Sequence, residues 1–392
     1  MQKQAKEVLL LIPLVVMFSF ALDSYIPFLL EIKSQLKMST ATAQMTLSAY
    51  FLAIACGQIL LGIISDIFGR LKTLYLSVII FIIASFFCAI STSAWMLITF
   101  RFFQGFGAAG LRLCAYAMVK DRHDDKQAAT YITHLFGAIS ISPMVAPLVG
   151  GFIGTLFGWR ATFIFIILCG IGCIFCITRL KESITIEKIP LKQRMRIIFT
   201  VFYDRHVLFF GLISASGISV LFSFASVINY VIIDQYRLSH YYIYISFIIA
   251  GLGMFFAGKI SAALSDRFGI AKTIALSFTL NWLLLVIIGL LMAFHALTLM
   301  LFYILIDIML INGIIINGSA IVLGVAKRKN ATGVAISVIG ALGYGIASIN
   351  GWLLSYTSMD MGDFAMIIGG FYTLIILLAL SLYFANRILA SR

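Results

Sequence analysis

The chain has 392 residues, of which 62% are hydrophobic and only 11% charged, whereas soluble domains run near about 45–50% and 25%. A soluble fold of that make-up would hold far too much apolar surface against water, which excludes a soluble enzyme or binding domain and leaves an all-α polytopic membrane protein. The net charge of +13 does not point to nucleic acid, because the basic residues form no basic domain and lie in short loops, where topology signals belong.

Twelve apolar runs are each long enough to cross a hydrocarbon core of about 30 Å. They cover residues 8–30, 44–65, 73–92, 95–119, 129–155, 160–179, 206–233, 240–264, 272–292, 296–323, 331–357 and 363–385. The first run reaches Asp23 and Pro27 without a small-residue cleavage site, so it reads as a retained helix and not as a signal peptide. Between spans two and three lies Gly57-Gln-Ile-Leu-Leu-Gly-Ile-Ile-Ser-Asp-Ile-Phe-Gly-Arg-Leu-Lys-Thr73, and its core returns as Ser265-Asp-Arg-Phe-Gly-Ile-Ala-Lys-Thr273. At an offset of 200, eight of thirteen aligned positions carry the same residue, which indicates an internal duplication. Asp66 is placed to pair with Arg70 or to accept hydrogen bonds from a facing helix N-terminus. Gly62 and Gly69 permit close approach and a tight turn. Lys72, Asp266 and Gly269 complete the pair of loops as candidate gating residues.

Burying an ionisable group in a bilayer costs several kcal/mol, so each one inside a span is a functional candidate. Five qualify: Asp23, Arg101, Arg112, His134 and Asp307, while Lys259 is near enough to a span end to snorkel. Asp23 and Arg101 are expected at similar depth, about 10 Å and about 9 Å from the outer ends of spans one and four. An ion pair between them would keep both charges tolerable, and an acid that exchanges arginine for a proton is a coupling device. Arg112 follows Arg101 by 11 residues, about three turns, on nearly the same face. It faces either anionic cargo in a cavity or Asp307 in span ten, and both readings stay open. A lone His134 near an interface reads as a hydrogen-bonded bystander more readily than as a proton relay.

Span five holds Pro143, Pro147, Gly150, Gly151, Gly154 and Gly158, and span eleven is similarly lean with Gly333, Gly340, Gly343, Gly345 and Gly351. Prolines free carbonyls and glycines admit a neighbouring helix, so spans five and eleven are expected to make sliding contacts between the halves, with Pro147, Gly150 and Gly151 in gating. All six cysteines lie inside apolar runs, and Cys173 and Cys176, despite their CxxC spacing, read as packing residues. Residues 1–179 and 206–392 then form two six-helix bundles, joined by a basic linker, 180–205, with an interfacial helix near Leu191–Val201. With both termini inside, 21 Lys or Arg are cytoplasmic, against Lys33, Lys37, Arg160 and Arg237 outside. Tyr25, Tyr50, Phe136, Phe222, Phe224, Asn229 and Tyr230 are candidates for an apolar, adaptable substrate pocket.

Two parallel six-span repeats around a linker resemble the major facilitator fold. Leu22-Asp-Ser-Tyr-Ile-Pro27, Gln44-Met-Thr-Leu-Ser48 with the Ser65–Lys72 loop, Arg101-Phe-Phe-Gln-Gly-Phe-Gly-Ala-Ala109 and Ser142-Pro-Met-Val-Ala-Pro-Leu-Val-Gly-Gly151 followed by Gly158-Trp-Arg160 carry the likeness further. They resemble the twelve-span drug:proton antiporters, and most nearly the bicyclomycin/chloramphenicol-resistance exporters. The resemblance implies proton-coupled export of amphipathic small molecules by alternating access, with the Asp66 loop closing the cytoplasmic gate. It implies no cofactor beyond the proton gradient, a functional monomer, and a bacterial inner membrane as the site of action. Ile270 in place of a second Arg70, Tyr116 where the family has an arginine, and Asp307 depart from the pattern. A carrier specific for a charged metabolite, such as a siderophore or amino acid, is the alternative that Arg112 and Asp307 keep open. A non-transporting sensor on the same fold is disfavoured by the joint presence of both loops and Asp23. The sequence contains no Walker loop, HExxH or nucleophile elbow, so an ATP-driven pump or membrane enzyme is not expected.

Overall fold

Side-chain burial and helix caps explain where this chain turns. The computed structural model describes residues 2–183, 191–239, 241–327 and 332–390. Among these residues there is no strand, and the chain runs through α1 (Gln2–Asp23), α2 (Leu29–Gln35), α3 (Thr40–Phe68), α4 (Arg70–Ala89), α5 (Ala94–Arg122), α6 (Asp125–Phe157) and α7 (Trp159–Thr178). It continues through α8 (Leu191–Phe202), α9 (Arg205–Tyr230), α10 (Tyr241–Phe268), α11 (Ile270–Ala293), α12 (Leu299–Val325), α13 (Thr332–Leu354) and α14 (Met361–Ala390). Ser39, Ser93, Asp124, Asp204 and Thr298 start α3, α5, α6, α9 and α12 by accepting a backbone N–H from the first turn. Among the described residues, eleven helical segments are long and apolar enough to cross a membrane. The twelfth expected span, α5, is not among them and carries Arg101 and Arg112.

The repeated loop is tighter than the sequence suggests. One residue, Gly69 at φ +98°, joins α3 to α4, and Gly269 at φ +81° joins α10 to α11. Gly158, also at φ +81°, makes the same one-residue corner between α6 and α7. A side chain at these angles would be strained, so the duplicated glycine is a requirement of backbone geometry.

The first span departs from expectation. A single helix over 8–30 is broken after Asp23, passes through Ser24 and Tyr25 into a short 3-10 turn, Ile26–Phe28, and restarts as α2. Pro27 supplies no N–H to the Asp23 carbonyl, so the ladder lacks a bond where α1 ends. After α9 the chain widens into a π-turn, Val231–Gln235, with Tyr236 N–H bonded to the Val231 carbonyl at 3.0 Å.

Helices α1–α7 and α9–α14 meet along two seams, α3 against α13 and α6 against α10. Both are built on glycine. A Cβ at Gly340 in α13 would strike the Gln58 side chain of α3, one at Gly151 in α6 would strike Tyr244 of α10, and one at Gly251 in α10 would lie 2.6 Å from the Met144 Cβ. The expected cross-half contacts of spans five and eleven are therefore present, each with a helix of the opposite half. At the end remote from Gly69, Asn229 Nδ2 donates to the Ile26 carbonyl at 2.7 Å, and Gln44 Nε2 donates to Ser226 Oγ. At the Gly69 end a cleft of about 520 Å³ lies between α3, α5 and the start of α13, with Ile198 of the linker helix on its wall. Val201 of α8 is buried against Val207, Ala335, Val338 and Ile339, which pins the linker helix beside that cleft. Residues 184–190 of the expected linker lie outside the described residues.

Candidate functional site

The broken first span creates the innermost polar site. Arg101 of α5 is fully buried, with its guanidinium carbon 4.2 Å from the Tyr25 ring centre and 4.4 Å from that of Tyr50. Its Nη1 donates to the Ala21 carbonyl at 3.0 Å and to Gln104 Oε1, and Gln104 Nε2 donates in turn to Ser85 Oγ at 2.8 Å. Nε and Nη2 have no hydrogen-bond partner. A desolvated cation between aromatic faces gains about 2 kcal/mol from the rings, which offsets part of the cost of burying it. Tyr25 and Tyr50 are themselves fixed, the first by Thr46 Oγ1 at 2.8 Å and the second by donating to the Phe18 carbonyl at 2.8 Å.

Asp23, 5% exposed, accepts a hydrogen bond from Ser19 Oγ at 2.6 Å. The expected ion pair with Arg101 is not formed: the ion pairs among the described residues are Arg70–Asp66, Arg70–Asp121 and Arg122–Glu7. The break after Asp23 explains this, because it presents the Ala21 carbonyl and the Tyr25 ring to the guanidinium in place of the carboxylate. Glycines of α6 cover the same break. A Cβ at Gly150 would strike the Ser24 carbonyl and one at Gly154 would strike the Phe28 ring. Pro147, buried inside α6, removes one helical bond a turn earlier.

Arg112 is half-buried nearer the cleft. Its Nη1 donates to the Tyr344 hydroxyl of α13 at 2.6 Å, and its guanidinium carbon lies 3.9 Å from the Phe18 ring centre. The pairing of Arg112 with Asp307 is not found. Asp307 lies in the α10–α12 interface, where a Cβ at Gly253 would be 2.5 Å from its Oδ1, and that oxygen has no hydrogen-bond partner. Glycine at 253 leaves the carboxylate the space it occupies, so Asp307 packs on α10 instead of reaching α5.

The remaining candidates divide. Asn229 is fully buried, Tyr230 is 4% exposed with Lys33 Nζ 5.6 Å from its ring centre, and both belong to the remote-end contact. Phe136 stacks on Tyr116 at 5.2 Å, beside the cleft that Tyr116 lines. His134 and Lys259 are exposed. In the loop, Arg70 Nη1 bonds Asp66 and Ser65, and Arg70 Nε reaches Asp121 Oδ2 at 3.0 Å. Gly62, Asp66 and Arg70 share the cleft with Thr332 and Gly333 at the start of α13. Lys72 is exposed, and so is Asp266 in the second loop, where Ile270 replaces the arginine. Sequence reasoning missed Glu182, whose carboxylate accepts Arg70 N–H at 3.0 Å and Leu71 N–H at 3.1 Å and so caps α4. It also missed Tyr344 and Asp121, and gave Gln104 no role although it lies inside the Arg101 motif.

Known proteins resemble this chain in sequence and in fold. The family model for the Major Facilitator Superfamily matches residues 11–351. The uncharacterized MFS-type transporter YdgK of Bacillus subtilis is 29% identical over 256 residues, 63% of this chain and 64% of its own length. The multidrug resistance protein MdtL of Citrobacter koseri is 32% identical over 171 residues, 43% of this chain and 44% of its own. A chloramphenicol resistance protein of Pseudomonas aeruginosa is 25% identical over 298 residues, 73% of this chain and 71% of its own. The first two matches thus span less than two thirds of those relatives. Among solved structures, a partially occluded inward open conformation of the xylose transporter XylE from E. coli superposes with a TM-score of 0.75 at 13% identity. It covers 97% of this chain and 98% of that one, a likeness of fold.

Proposed function

The chain belongs to the major facilitator superfamily, and on that premise we propose that it is a proton-coupled exporter of amphipathic small molecules. It works as a monomer in a bacterial inner membrane with the Gly69 end and both termini in the cytoplasm. One observation carries this reading: a buried carboxylate, Asp23, sits at a helix break beside a buried guanidinium without pairing to it. Such an acid can hold a proton while Arg101 stays held by rings and carbonyls, and can lose it when the break rearranges. Names of relatives that include multidrug and chloramphenicol resistance support drugs as cargo. The excess of Lys and Arg in the Gly69-end loops supports the orientation.

Alternating access would proceed with the two glycine seams as sliding surfaces. In the conformation described, the cleft at the Gly69 end admits cargo from the cytoplasm and the contacts of Asn229 and Gln44 shut the outside. Export requires the reverse, with the Asp66–Arg70–Asp121 cluster closing on the start of α13. Purified protein tests the proposal directly. Adding chloramphenicol and a panel of amphipathic drugs to wild-type protein in weakly buffered detergent should release protons, and Asp23→Asn should release none. Drug binding without proton release in the wild type would overturn coupling at Asp23.

A further inference from the structure

The exporter reading leaves Arg112 without a task. We propose that Arg112 is the docking point for the anionic group of an aromatic cargo, and that the Arg112–Tyr344 bond is a cross-half latch which this anion displaces. The inference rests on the transporter reading and deepens it by naming a cargo class.

Three observations carry it. Arg112 lies in α5, the helix that the sequence reads as the fourth span, yet has no carboxylate within ion-pair reach among the described residues. A guanidinium is always charged and offers five donors in a planar fork, and the one side-chain hydrogen bond described for Arg112 goes to the Tyr344 hydroxyl. Its surroundings are aromatic and come from both halves: Phe18 and Tyr344 meet edge-on at 5.6 Å, Phe51 lies 5.7 Å from Tyr344, and Phe222 lies 4.1 Å from Phe51. Leu113 and Tyr116, next to Arg112 and one turn beyond it, line the cleft, which places Arg112 one helical turn past the Tyr116 part of its wall.

The chemistry follows from these placements. Aromatic faces tolerate the cation but do not neutralise it, so an anion arriving from the cleft meets a half-buried guanidinium with no carboxylate partner among the described residues. A carboxylate matches the guanidinium fork with two parallel hydrogen bonds, and an attached aryl body can lie among Phe18, Phe51 and Tyr344. An end-on fork–fork pair, through Nη1 and Nη2, competes with Tyr344 for the Nη1 that now holds it. Because Tyr344 belongs to the opposite half, cargo binding then releases a contact between halves, which links occupancy to movement.

Calorimetric titration of the full chain in lipid nanodiscs tests this with a matched pair, 4-phenylbenzoate and 4-phenylbenzamide. The wild type should bind the acid about tenfold more tightly than the amide. Arg112→Gln should erase that preference, and a cooperative thermal unfolding transition near that of the wild type shows that the variant is folded. Tyr344→Phe, which frees Arg112 from its competitor, should tighten the acid several-fold relative to the amide. Equal affinities in the wild type, a preference that survives Arg112→Gln, or no binding of either compound would each overturn the proposal. Acid that binds tighter in Tyr344→Phe only as much as the amide does would overturn the latch. Acid preference together with no Asp23-dependent proton release for any drug would sink the exporter reading and keep this one. Proton release with chloramphenicol but no acid preference would do the opposite.

Discussion

A guanidinium packed between two tyrosine rings and tied to a backbone carbonyl frees the neighbouring carboxylate for other work. Asp23 keeps one hydrogen bond, from Ser19, and no ion pair. If cargo displaces its proton, linkage fixes the pH dependence. While the empty site is protonated, cargo affinity should rise about tenfold for each unit of rising pH, because binding releases one proton. The slope should flatten once the empty site is already deprotonated, and Asp23→Asn should be flat throughout. Titrating wild type and variant with one drug across pH 5.5 to about 9 checks this, and a flat wild-type profile would count against proton exchange. Asp307 calls for the contrary expectation. Its Oδ1 has no partner and no cation pairs with it among the described residues. Asp307→Asn should therefore leave stability unchanged or raise it by about 1 kcal/mol. A melting temperature lowered by several degrees would mean that the carboxylate does have a stabilising partner. Both acids were legible in the sequence as charges out of place. Their partners were not, since Ser19 and Gly253 are ordinary residues until the fold brings them close.

At the scale of elements, the one-residue corner at Gly69 leaves the first N–H groups of α4 facing outward, and a helix start without a cap is unstable. Glu182 supplies the cap from 112 positions away, accepting both Arg70 and Leu71 N–H, and Ser183 beside it donates to Asp121 Oδ2 at 2.9 Å. The root of the linker is thereby fastened to the loop that carries Asp66. Glu182→Ala should destabilise the protein by about 1–2 kcal/mol and slow export, with cargo affinity nearly unchanged because the cleft walls stay in place. Thermal unfolding and transport assays on the same preparation would separate the two effects, and equal losses of affinity and rate would argue against a gate. The twelve spans, the duplicated loop and the glycine-rich fifth and eleventh spans were all readable, because hydropathy and repetition are local signals. The break after Asp23 was not, since a one-turn interruption hardly alters the apolarity of a 29-residue segment. The cap from Glu182 was hidden for a different reason, namely that nothing local distinguishes a capping glutamate from a solvated one.

At the scale of the whole molecule, two glycine seams hold the halves together and a polar clasp closes the end remote from Gly69. The seams present smooth backbone to the opposite half, and such surfaces slide without leaving large voids. The clasp is different in kind: Gln44 on Ser226 and Asn229 on the Ile26 carbonyl are hydrogen bonds that water can replace. Polar closure of this sort nets about 1 kcal/mol per bond, so it can open on a working timescale once cargo alters the balance. If export requires that opening, fixing the clasp must stop transport while sparing the cleft. In a background without the six native cysteines, Gln44→Cys with Ser226→Cys can be bridged by a short bis-methanethiosulfonate. The bridged protein should lose drug efflux entirely, regain it on reduction, and still let a water-soluble maleimide label a third cysteine at Ala117 on the cleft wall. Loss of both efflux and labelling would mean that the bridge distorts the Gly69 end as well. Efflux that continues through the bridge would show that cargo leaves without parting α3 from α9, and the two-state picture drawn from these contacts would fall.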